Sequence, residues 1–375
     1  MLLMLAQPPL WLIVVAFVCA IGPLVFFHEL GHYLVGRLFG VGAEIFSIGF
    51  GREIAGWTDR TGTRWKVGWL PLGGYVRFVG DAAHAGEGDG SEATRDPRSF
   101  AGKLVWQRFL VVLAGPMANF LLAILIFTAF FAFIGTPRTN VVGAIEPRSA
   151  AAASGIQPGD HILEVAGRPT PTFADVFNVV VVRPDETVTV KVERTGVVHD
   201  LRVHIGTDQL EDTTGAKFER GLLGVYPTTQ VQEPVSIVRA VPMAADYTWS
   251  LTRSIADGIS QLIKGRISPK QLGGPIKIAQ VAGEGAAQGP LAFVSLLALL
   301  SINLGFINLL PIPMLDGGHL FFYAVEAVRR RPVSVQAQEW AFRGGLALIL
   351  ALLLFTTVND LGSFGVWERL GRLIG

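Results

Sequence analysis

Four apolar stretches constrain the fold of this chain of 375 residues more than any other feature of its sequence. A membrane-spanning helix needs about 20 apolar residues, and three of the stretches are that long. Half of the residues are hydrophobic and only 16% are charged, so we predict a multi-span α-helical membrane protein with about four transmembrane helices. The stretches run from about Leu10 to Val35, Phe109 to Ile134, Leu291 to Leu315 and, if Arg343 snorkels, Gly344 to Val358.

Basic residues between these stretches predict the orientation of the chain. No Lys or Arg precedes Arg37, whereas the loop between the first two stretches is rich in both. Arg329, Arg330 and Arg331 follow the third stretch. Because cytoplasmic loops carry the excess of Lys and Arg, we expect both loops in the cytoplasm and both termini outside it.

Charge and cysteine content exclude several classes of protein. The formal net charge is +1, whereas nucleic-acid binding would need a basic face. Cys19 is the only cysteine, so neither an internal disulfide nor a cysteine-based zinc site is available. The N-terminus lacks the basic region of a signal peptide, and we expect its apolar stretch to remain as a span.

The first apolar stretch contains the sequence His28-Glu29-Leu30-Gly31-His32. Residues four apart lie on one face of a helix, so His28 and His32 can bind one zinc ion, with Glu29 beside it as a base. Ionisable groups at membrane depth cost several kcal/mol unless they are paired, ligated or wetted. A buried, hydrogen-bonded histidine would account for either imidazole alone, but not for both together with the carboxylate. The motif therefore favours a metal site.

A catalytic zinc site usually has a third protein ligand, and Asp316 is the strongest candidate. It lies in the segment Asn308–Gly318, in which Pro311 and Pro313 remove helix hydrogen bonds and Gly317-Gly318 permits a sharp bend. A broken helix of this kind can present a carboxylate at membrane depth if it lines a wet cavity. The alternative is that Asp316 only caps the helix that follows.

Zinc on these ligands would lower the pKa of a bound water and polarise a peptide carbonyl. Glu29 would accept the proton of that water and pass it to the leaving amine. Asn308 would donate to the developing oxyanion or hold the substrate backbone. Asn119 and Asn303 are weaker candidates, which we expect to bond between helices.

The loop after the first stretch predicts a small β-hairpin at about residues 42–80, near the membrane surface. Arg64–Val67 and Tyr75–Phe78 alternate in the period of strands, with turns expected at Asp59–Gly62 and Gly73-Gly74. Its strand could pair with an unwound substrate; the alternative is a surface hairpin without a substrate role. Residues 81–102 predict a loop, with His84 solvated.

Together with Ala114–Phe120 of the second apolar stretch, the segments named so far resemble the site-2 protease family of intramembrane zinc metalloproteases, and most closely its bacterial regulator-of-sigma-E branch. The resemblance extends in order over nearly the whole chain. It is carried by the His28–His32 helix, Gly73–Phe78, Ala114–Phe120 and Asn308–Gly318.

This resemblance implies a bacterial inner-membrane protease with zinc on His28, His32 and Asp316, and with Glu29 as catalytic acid and base. It also implies that the hairpin is membrane-associated and contacts the substrate. The hairpin residues concerned are Gly73, Gly74, Tyr75, Val76, Arg77 and Phe78.

The segment outside the cytoplasm contains a second resemblance. Gly143–Pro147, Ala150–Ala153 and Gly155–Leu163 resemble a PDZ domain of the bacterial protease type. The branch often carries two such domains in tandem, whereas this chain shows one. A sequence near the end of this domain, as in a circularly permuted PDZ, resembles the carboxylate-binding loop: Gly221, Leu222, Leu223, Gly224 and Val225.

We therefore predict four parts of the chain. Residues 1–135 contain the first transmembrane pair and the hairpin, and residues 136–230 form the β-rich, extracytoplasmic PDZ domain. Residues 231–289 form an amphipathic helical segment whose apolar stripe, including Leu251 and Ile255, packs against the protein. Residues 290–375 contain the second transmembrane pair with Asp316.

The predicted function is an intramembrane zinc endopeptidase that cuts single-span membrane proteins within the lipid bilayer. The resemblance implies anti-sigma factors or remnant signal peptides as substrates. The PDZ domain either binds a peptide or a C-terminus, or excludes bulky ectodomains. The alternative is a non-proteolytic membrane protein that binds or transports zinc and uses the PDZ domain as an adaptor.

Overall fold

The computed structural model describes residues 8–80, 96–137, 140–211, 217–228, 232–265, 269 and 272–363. Most of the predicted loop at 81–102, including His84, lies outside these ranges. The helices are α1 (Leu10–Leu38), α2 (Val105–Phe133), α3 (Ala150–Ser154), α4 (Phe173–Val181), α5 (Ile237–Ile263), α6 (Pro275–Ala287), α7 (Pro290–Leu309), α8 (Asp316–Arg329) and α9 (Val335–Ser363).

The strands of the described chain are short except in the first pair. They are β1 (Ala43–Thr58), β2 (Arg64–Phe78), β3 (Thr136–Pro137), β4 (Val142–Ile145), β5 (His161–Val165), β6 (Arg168–Pro169), β7 (Thr187–Arg194), β8 (Val197–His204), β9 (Gly206–Glu211), β10 (Lys217–Leu222), β11 (Val225–Pro227) and β12 (Gln232–Glu233).

The helices α1, α2, α7 and α9 are long and apolar enough to cross a membrane, which confirms the prediction of about four spans at the level of length and composition. The fourth is longer than its apolar stretch suggested, because its helix begins at Val335, well before Gly344. The third is shorter than its stretch: α7 ends at Leu309, and Leu310 is extended with ψ 140°. Pro311 follows and cannot supply a helical N–H.

One compact unit consists of Met1–Ala123 and Pro275–Phe355. Its helices approach each other closely where they carry small residues. A Cβ at Gly31 of α1 would overlap the carbonyl oxygen of Ala114 on α2. Small residues let helix backbones approach in a membrane, where close van der Waals packing replaces the hydrophobic effect. α1 therefore lies directly against α2 at the level of the His-Glu motif.

The predicted hairpin is present in this unit as the antiparallel pair β1 and β2. Its turn lies at Asp59–Gly62, as expected, and the Gly62 N–H donates to the Asp59 carbonyl at 3.1 Å. The second predicted turn, at Gly73-Gly74, is wrong: both residues lie within β2, and Gly74 is paired with Ile48. The ribbon curls instead of turning there.

Aromatic packing accounts for this curl of the hairpin. Phe46 of β1 has two partners in β2, Val76 and Trp65. Its ring stacks on that of Trp65 with centroids 4.2 Å apart, and Phe46 is only 1% exposed. Tyr33 of α1 closes the cluster with its ring 5.2 Å from Trp65. The same contacts hold the hairpin against α1.

The second compact unit consists of Ile124–Gly274 and Thr356–Gly375, and its core is β-rich. Four strands form a sheet in the order β6-β5-β7-β8, and β4 pairs with β11. Ile162, Val165 and Val190 are fully buried between this sheet and α4. Burial of such a side chain contributes about 1.5–3 kcal/mol. Buried residues of β7 alternate with exposed or half-buried ones over its first six positions, and the buried ones fill the core.

Candidate metal centre

The two histidines of α1 face each other in a buried position. Their Nε2 atoms are 3.2 Å apart, and the rings meet edge to face with centroids 4.8 Å apart. His28 is 8% exposed and His32 is 9% exposed. The spacing of four residues therefore brings both imidazoles to one point, as the sequence predicts.

Asp316 reaches the same point from a distant part of the chain. Its Oδ2 lies 3.0 Å from His28 Nε2 and 3.5 Å from His32 Nε2. The N-cap of α8 is Leu315, and that cap makes no side-chain hydrogen bond. Asp316 is the first residue of the helix, and its carboxylate meets the imidazoles instead of capping α8.

A tight break between α7 and α8 positions Asp316. Met314 has φ 82°, in the left-handed region of backbone conformation that residues other than glycine and asparagine rarely adopt. A Cβ at Gly317 would overlap the Leu310 carbonyl oxygen, and a Cβ at Gly318 would lie 2.5 Å from the Ile312 carbonyl oxygen. The two glycines therefore allow α8 to begin directly against the end of α7.

One face of α2 surrounds the histidines. His32 Nδ1 lies 2.9 Å from the carbonyl oxygen of Val111. A carbonyl only accepts, so Nδ1 carries the proton and Nε2 keeps a lone pair. One turn further along α2, a Cβ at Gly115 would overlap His32 Nε2. Another turn on, Asn119 Nδ2 lies 3.1 Å from His28 Nδ1.

These contacts of Gly115 and Asn119 were not predicted from the sequence. We expected Asn119 to bond between helices, and it also does so, since the Ser301 hydroxyl donates to its backbone carbonyl at 2.7 Å. A signal was present in the sequence: Val111, Gly115 and Asn119 are four residues apart and share one helix face. Only the packing of α2 on α1 shows that this face meets the histidines.

Glu29 lies between the histidines in sequence and beside the hairpin in space. Its carboxylate accepts a hydrogen bond from the backbone N–H of Val76. A Cβ at Gly74 would lie 3.3 Å from Glu29 Cγ, so the strand backbone approaches the side chain closely. β2 thus contacts the predicted base through its own backbone.

The six predicted hairpin residues have different surroundings. Gly74 and Val76 are next to Glu29. Tyr75 stacks on Phe50 with ring centroids 6.0 Å apart, and Arg77 pairs with the Glu44 carboxylate at 2.8 Å.

Phe78, Gly73 and Asn308 have other surroundings. Phe78 is buried against Phe100, with ring centroids 5.6 Å apart. Gly73 has φ 130°, and Asn308 is half-buried in the last turn of α7. Their roles stay predictions.

The residues of the predicted carboxylate loop lie at the junction of β10 and β11. A Cβ at Gly221 would overlap the Val180 carbonyl at the end of α4. Gly224 has φ 76°, and a Cβ there would overlap Ser149. The Leu223 carbonyl accepts from the Ala151 N–H at 2.9 Å. The loop is therefore packed between α3 and α4.

The donor atoms of His28, His32 and Asp316 fit a zinc ion. One ligand atom from each lies within 4.8 Å of the other two. Two imidazole nitrogens and one carboxylate oxygen form a donor set of catalytic zinc, which leaves a coordination position for water or substrate. With a glutamate next to them in sequence and space, this donor set is typical of the centre of a mononuclear metallohydrolase.

Comparison with known proteins assigns the chain to one protein family. The model of "Peptidase family M50" matches residues 16–352. A protein of Rhizobium meliloti named "Putative zinc metalloprotease" is 44% identical over 348 residues, which cover 90% of this chain and 93% of the relative. A protein of the same name from Agrobacterium fabrum is 42% identical over 361 residues, 93% of this chain and 96% of the relative. "Metalloprotease MmpA" of Caulobacter vibrioides is 37% identical over 389 residues, 92% and 94% of the two chains.

The chain belongs to peptidase family M50, the site-2 protease family. The family predicted from the sequence is thereby confirmed, and so are the class of enzyme, a metalloprotease, and its metal, zinc. The alternative of a non-proteolytic zinc transporter has no support among these matches.

Proposed function

We propose that this metalloprotease cleaves transmembrane segments of single-span membrane proteins. The observation that carries the proposal is the position of the three ligands. His28 and His32 lie within α1, and Asp316 begins the helix after α7; both α1 and α7 are long and apolar enough to span a bilayer. A protease centre in such helices meets peptide bonds that are themselves in the membrane.

The residues of the centre have separate tasks in hydrolysis. His28, His32 and Asp316 would hold the zinc ion, which would supply Lewis acidity toward water and toward a peptide carbonyl. Glu29 accepts a proton from the attacking water and delivers it to the leaving amine. Asn308 supports the developing negative charge or the substrate backbone.

The outer edge of β2 is the proposed substrate site. A helical segment protects its amides, so it must unwind before cleavage, and an edge strand can pair with the extended chain. The Val79 N–H donates to Gly42 on the β1 side. Because N–H groups alternate along a strand, that of Val76 faces the opposite side, where it meets Glu29. A substrate strand on this edge would lie beside the base.

The basic residues of two loops support a proposal for how the protein is oriented in the membrane. We place the loops that contain the hairpin and Arg329–Arg331 in the cytoplasm, with the centre in the cytoplasmic half of a bacterial inner membrane. Both termini and the β-rich unit then lie outside the cytoplasm. Accessibility of single cysteines to an impermeant reagent tests this: labelling from outside at residue 60 in spheroplasts would contradict it.

The β-rich unit fits a circularly permuted PDZ domain whose ligand is a peptide or a free C-terminus. Phe177 on α4 is 55% exposed and Tyr226 on β11 is 54% exposed, although both side chains are large and aromatic. In a domain of this kind the ligand is a peptide that adds as a further β-strand. In the full-length protein, a labelled peptide should bind with a free carboxylate and lose affinity when amidated. Equal affinity for both forms would exclude carboxylate recognition.

Substrates are expected to reach the centre after another protease has removed most of their outside domain. Anti-sigma factors and remnant signal peptides are of this type. Comparison of membrane proteomes between the wild type and Glu29→Gln would name the substrates as accumulating membrane stubs.

The decisive experiment is cleavage of a reporter transmembrane segment by purified Glu29→Gln in liposomes. Zinc content and unfolding temperature should stay at the wild-type level, while cleavage is lost. Glu164→Gln is the matched control, because Glu164 lies on β5 and pairs with Lys191. Cleavage by Glu29→Gln at the wild-type rate would overturn the mechanism.

A further inference from the structure

The side chain of Asn119 is buried beside the metal ligands but is not one of them. It is 0% exposed, and its Nδ2 lies 3.1 Å from His28 Nδ1. Its Oδ1 is also buried and has no hydrogen-bond partner among the residues that the structure describes. A buried amide oxygen without a donor costs about 1–3 kcal/mol, so an amide in this position calls for a physical reason.

The two histidines differ in what meets their Nδ1 atoms. At His32 the partner is the Val111 carbonyl, an obligate acceptor, which fixes the proton on Nδ1 and the lone pair on Nε2. At His28 the partner is an amide, which donates from one end and accepts from the other. The tautomer of His28 is therefore decided by the orientation of Asn119.

A half-turn of the Asn119 amide exchanges its two ends. It places Oδ1 against His28 Nδ1, gives that oxygen a donor, and requires the His28 proton to be on Nδ1. The lone pair of His28 then lies on Nε2, the atom that faces Asp316 Oδ2 at 3.0 Å and His32 Nε2 at 3.2 Å. Metal-binding histidines commonly donate their other N–H to such an acceptor, which fixes the tautomer and the ring orientation.

We propose that Asn119 is a positioning residue that holds His28 as an Nε2 ligand of zinc. The backbone of Asn119 is held in place by the Ser301 hydroxyl, which donates to the Asn119 carbonyl at 2.7 Å. Val111 and Asn119 thus perform the same function for the two histidines, and Gly115 between them provides the space for the His32 ring.

The test is zinc affinity of the purified full-length protein, measured by competition with a chromophoric chelator. Asn119→Leu keeps the volume but removes the acceptor, and its zinc affinity should fall about 10–100-fold. Asn119→Asp keeps an acceptor oxygen at the same distance and should bind zinc within about threefold of the wild type, by the same reasoning. Asn359→Leu on α9 is the control for an Asn-to-Leu change within a span, and should bind zinc as the wild type does.

A second readout separates positioning from a general structural role. In excess zinc, cleavage of the reporter segment by Asn119→Leu should recover, because the missing acceptor lowers occupancy of the site. Wild-type zinc affinity in Asn119→Leu, or equal losses of affinity in Asn119→Leu and Asn119→Asp, would overturn the proposal.

If Asn119→Leu does not fold, Asn119→Ala takes its place, because it removes the acceptor without a branched side chain. The zinc affinity of Asn119→Ala is then compared with that of Asn119→Asp, and equal losses would again overturn the proposal. Chelator competition needs no substrate, so this result is independent of whether the substrate is a transmembrane segment.

Discussion

The backbone N–H of Val76 donates a hydrogen bond to the carboxylate of Glu29, and so connects the edge strand of the hairpin to the predicted base. The contact comes from the main chain, so it does not depend on the side chain at position 76. This one hydrogen bond joins two parts of the proposed mechanism, the pairing of the substrate strand and the transfer of the proton. The edge that would receive a substrate strand is also the edge that orients Glu29.

Val76→Pro should therefore reduce cleavage without removing the hairpin. Proline lacks the N–H, and an outward-facing position on an edge strand tolerates it. The loss of one hydrogen bond to a charged group, about 1.5 kcal/mol, corresponds to roughly a tenfold lower kcat/KM. The measurement is cleavage of the reporter segment at saturating zinc.

Val76→Ala is the control for this prediction, because it shortens the side chain and keeps the N–H. It should cleave close to the wild-type rate. An equal loss of activity in the alanine and proline variants would show that the side chain, rather than the N–H, is responsible.

A second prediction concerns the space around His32. Gly115→Ala would place a Cβ over the Nε2 of His32, so the imidazole or α2 must move. Overpacking of this kind costs about 1–3 kcal/mol, and we expect zinc affinity to fall by at least about tenfold, as for other displaced ligand supports. Chelator competition measures the loss.

Gly22→Ala is the matched control for Gly115→Ala. Both changes add one methyl group to a helix in a span, but a Cβ at Gly22 meets nothing within 4 Å. Zinc affinity should not change, and stability should be equal or higher by up to about 1 kcal/mol, since alanine is the better helix former. Reduced zinc affinity in Gly22→Ala would mean that any added methyl group disturbs the site.

The ligand role of Asp316 gives a third prediction. Asp316→Ala removes one of the three donor atoms, so zinc affinity should fall more than in a variant of a supporting residue, by at least about 100-fold. Asp246→Ala, at an exposed position on α5, is the control. Metal analysis after dialysis against a weak chelator measures the difference. Unchanged zinc content in Asp316→Ala would remove Asp316 from the ligand set.

The sequence predicts the parts of the site that follow from spacing within one element or from chemical type. His28 and His32 share a helix face by periodicity alone. Asp316 is predictable because a carboxylate that follows two prolines in an apolar stretch is costly unless it is ligated, paired or wetted. The turn at Gly73-Gly74 was wrong because the dipeptide rule is local, whereas the stacking of Phe46 on Trp65 curls the ribbon and keeps both glycines in β2.

The contacts that the sequence could not show depend on how separate elements pack. The face of α2 that carries Gly115 and Asn119 is apparent from the spacing, but its partner is not. The same holds for Val76 and Glu29, which are brought together by the curl of β2 against α1. No periodicity within one segment contains information on these distances between elements.

The last prediction concerns the β-rich unit and its dependence on pH. Asp160 is 1% exposed, and both of its oxygens accept hydrogen bonds at 2.7 Å from Arg194. The Gln157 N–H donates a further one at 2.8 Å. Burial alone would raise the pKa of the Asp160 carboxyl, but the hydrogen bonds from Arg194 and Gln157 outweigh it and hold this pKa below its usual range.

Because the native pKa of Asp160 is lower than that of the unfolded chain, about 3.9, the ionised form stabilises the fold above that pH. Asp160→Asn should therefore reduce the stability of this unit by about 2 kcal/mol at pH 7, the value of a charged hydrogen bond. The difference from the wild type should stay constant from about pH 8 to 5 and shrink as the pH falls below about 4, where the wild-type carboxylate becomes protonated. Hydrogen exchange of β5 and β7 amides in the full-length protein measures this difference in stability between the wild type and Asp160→Asn. A difference that grows toward acid pH would contradict the depressed pKa.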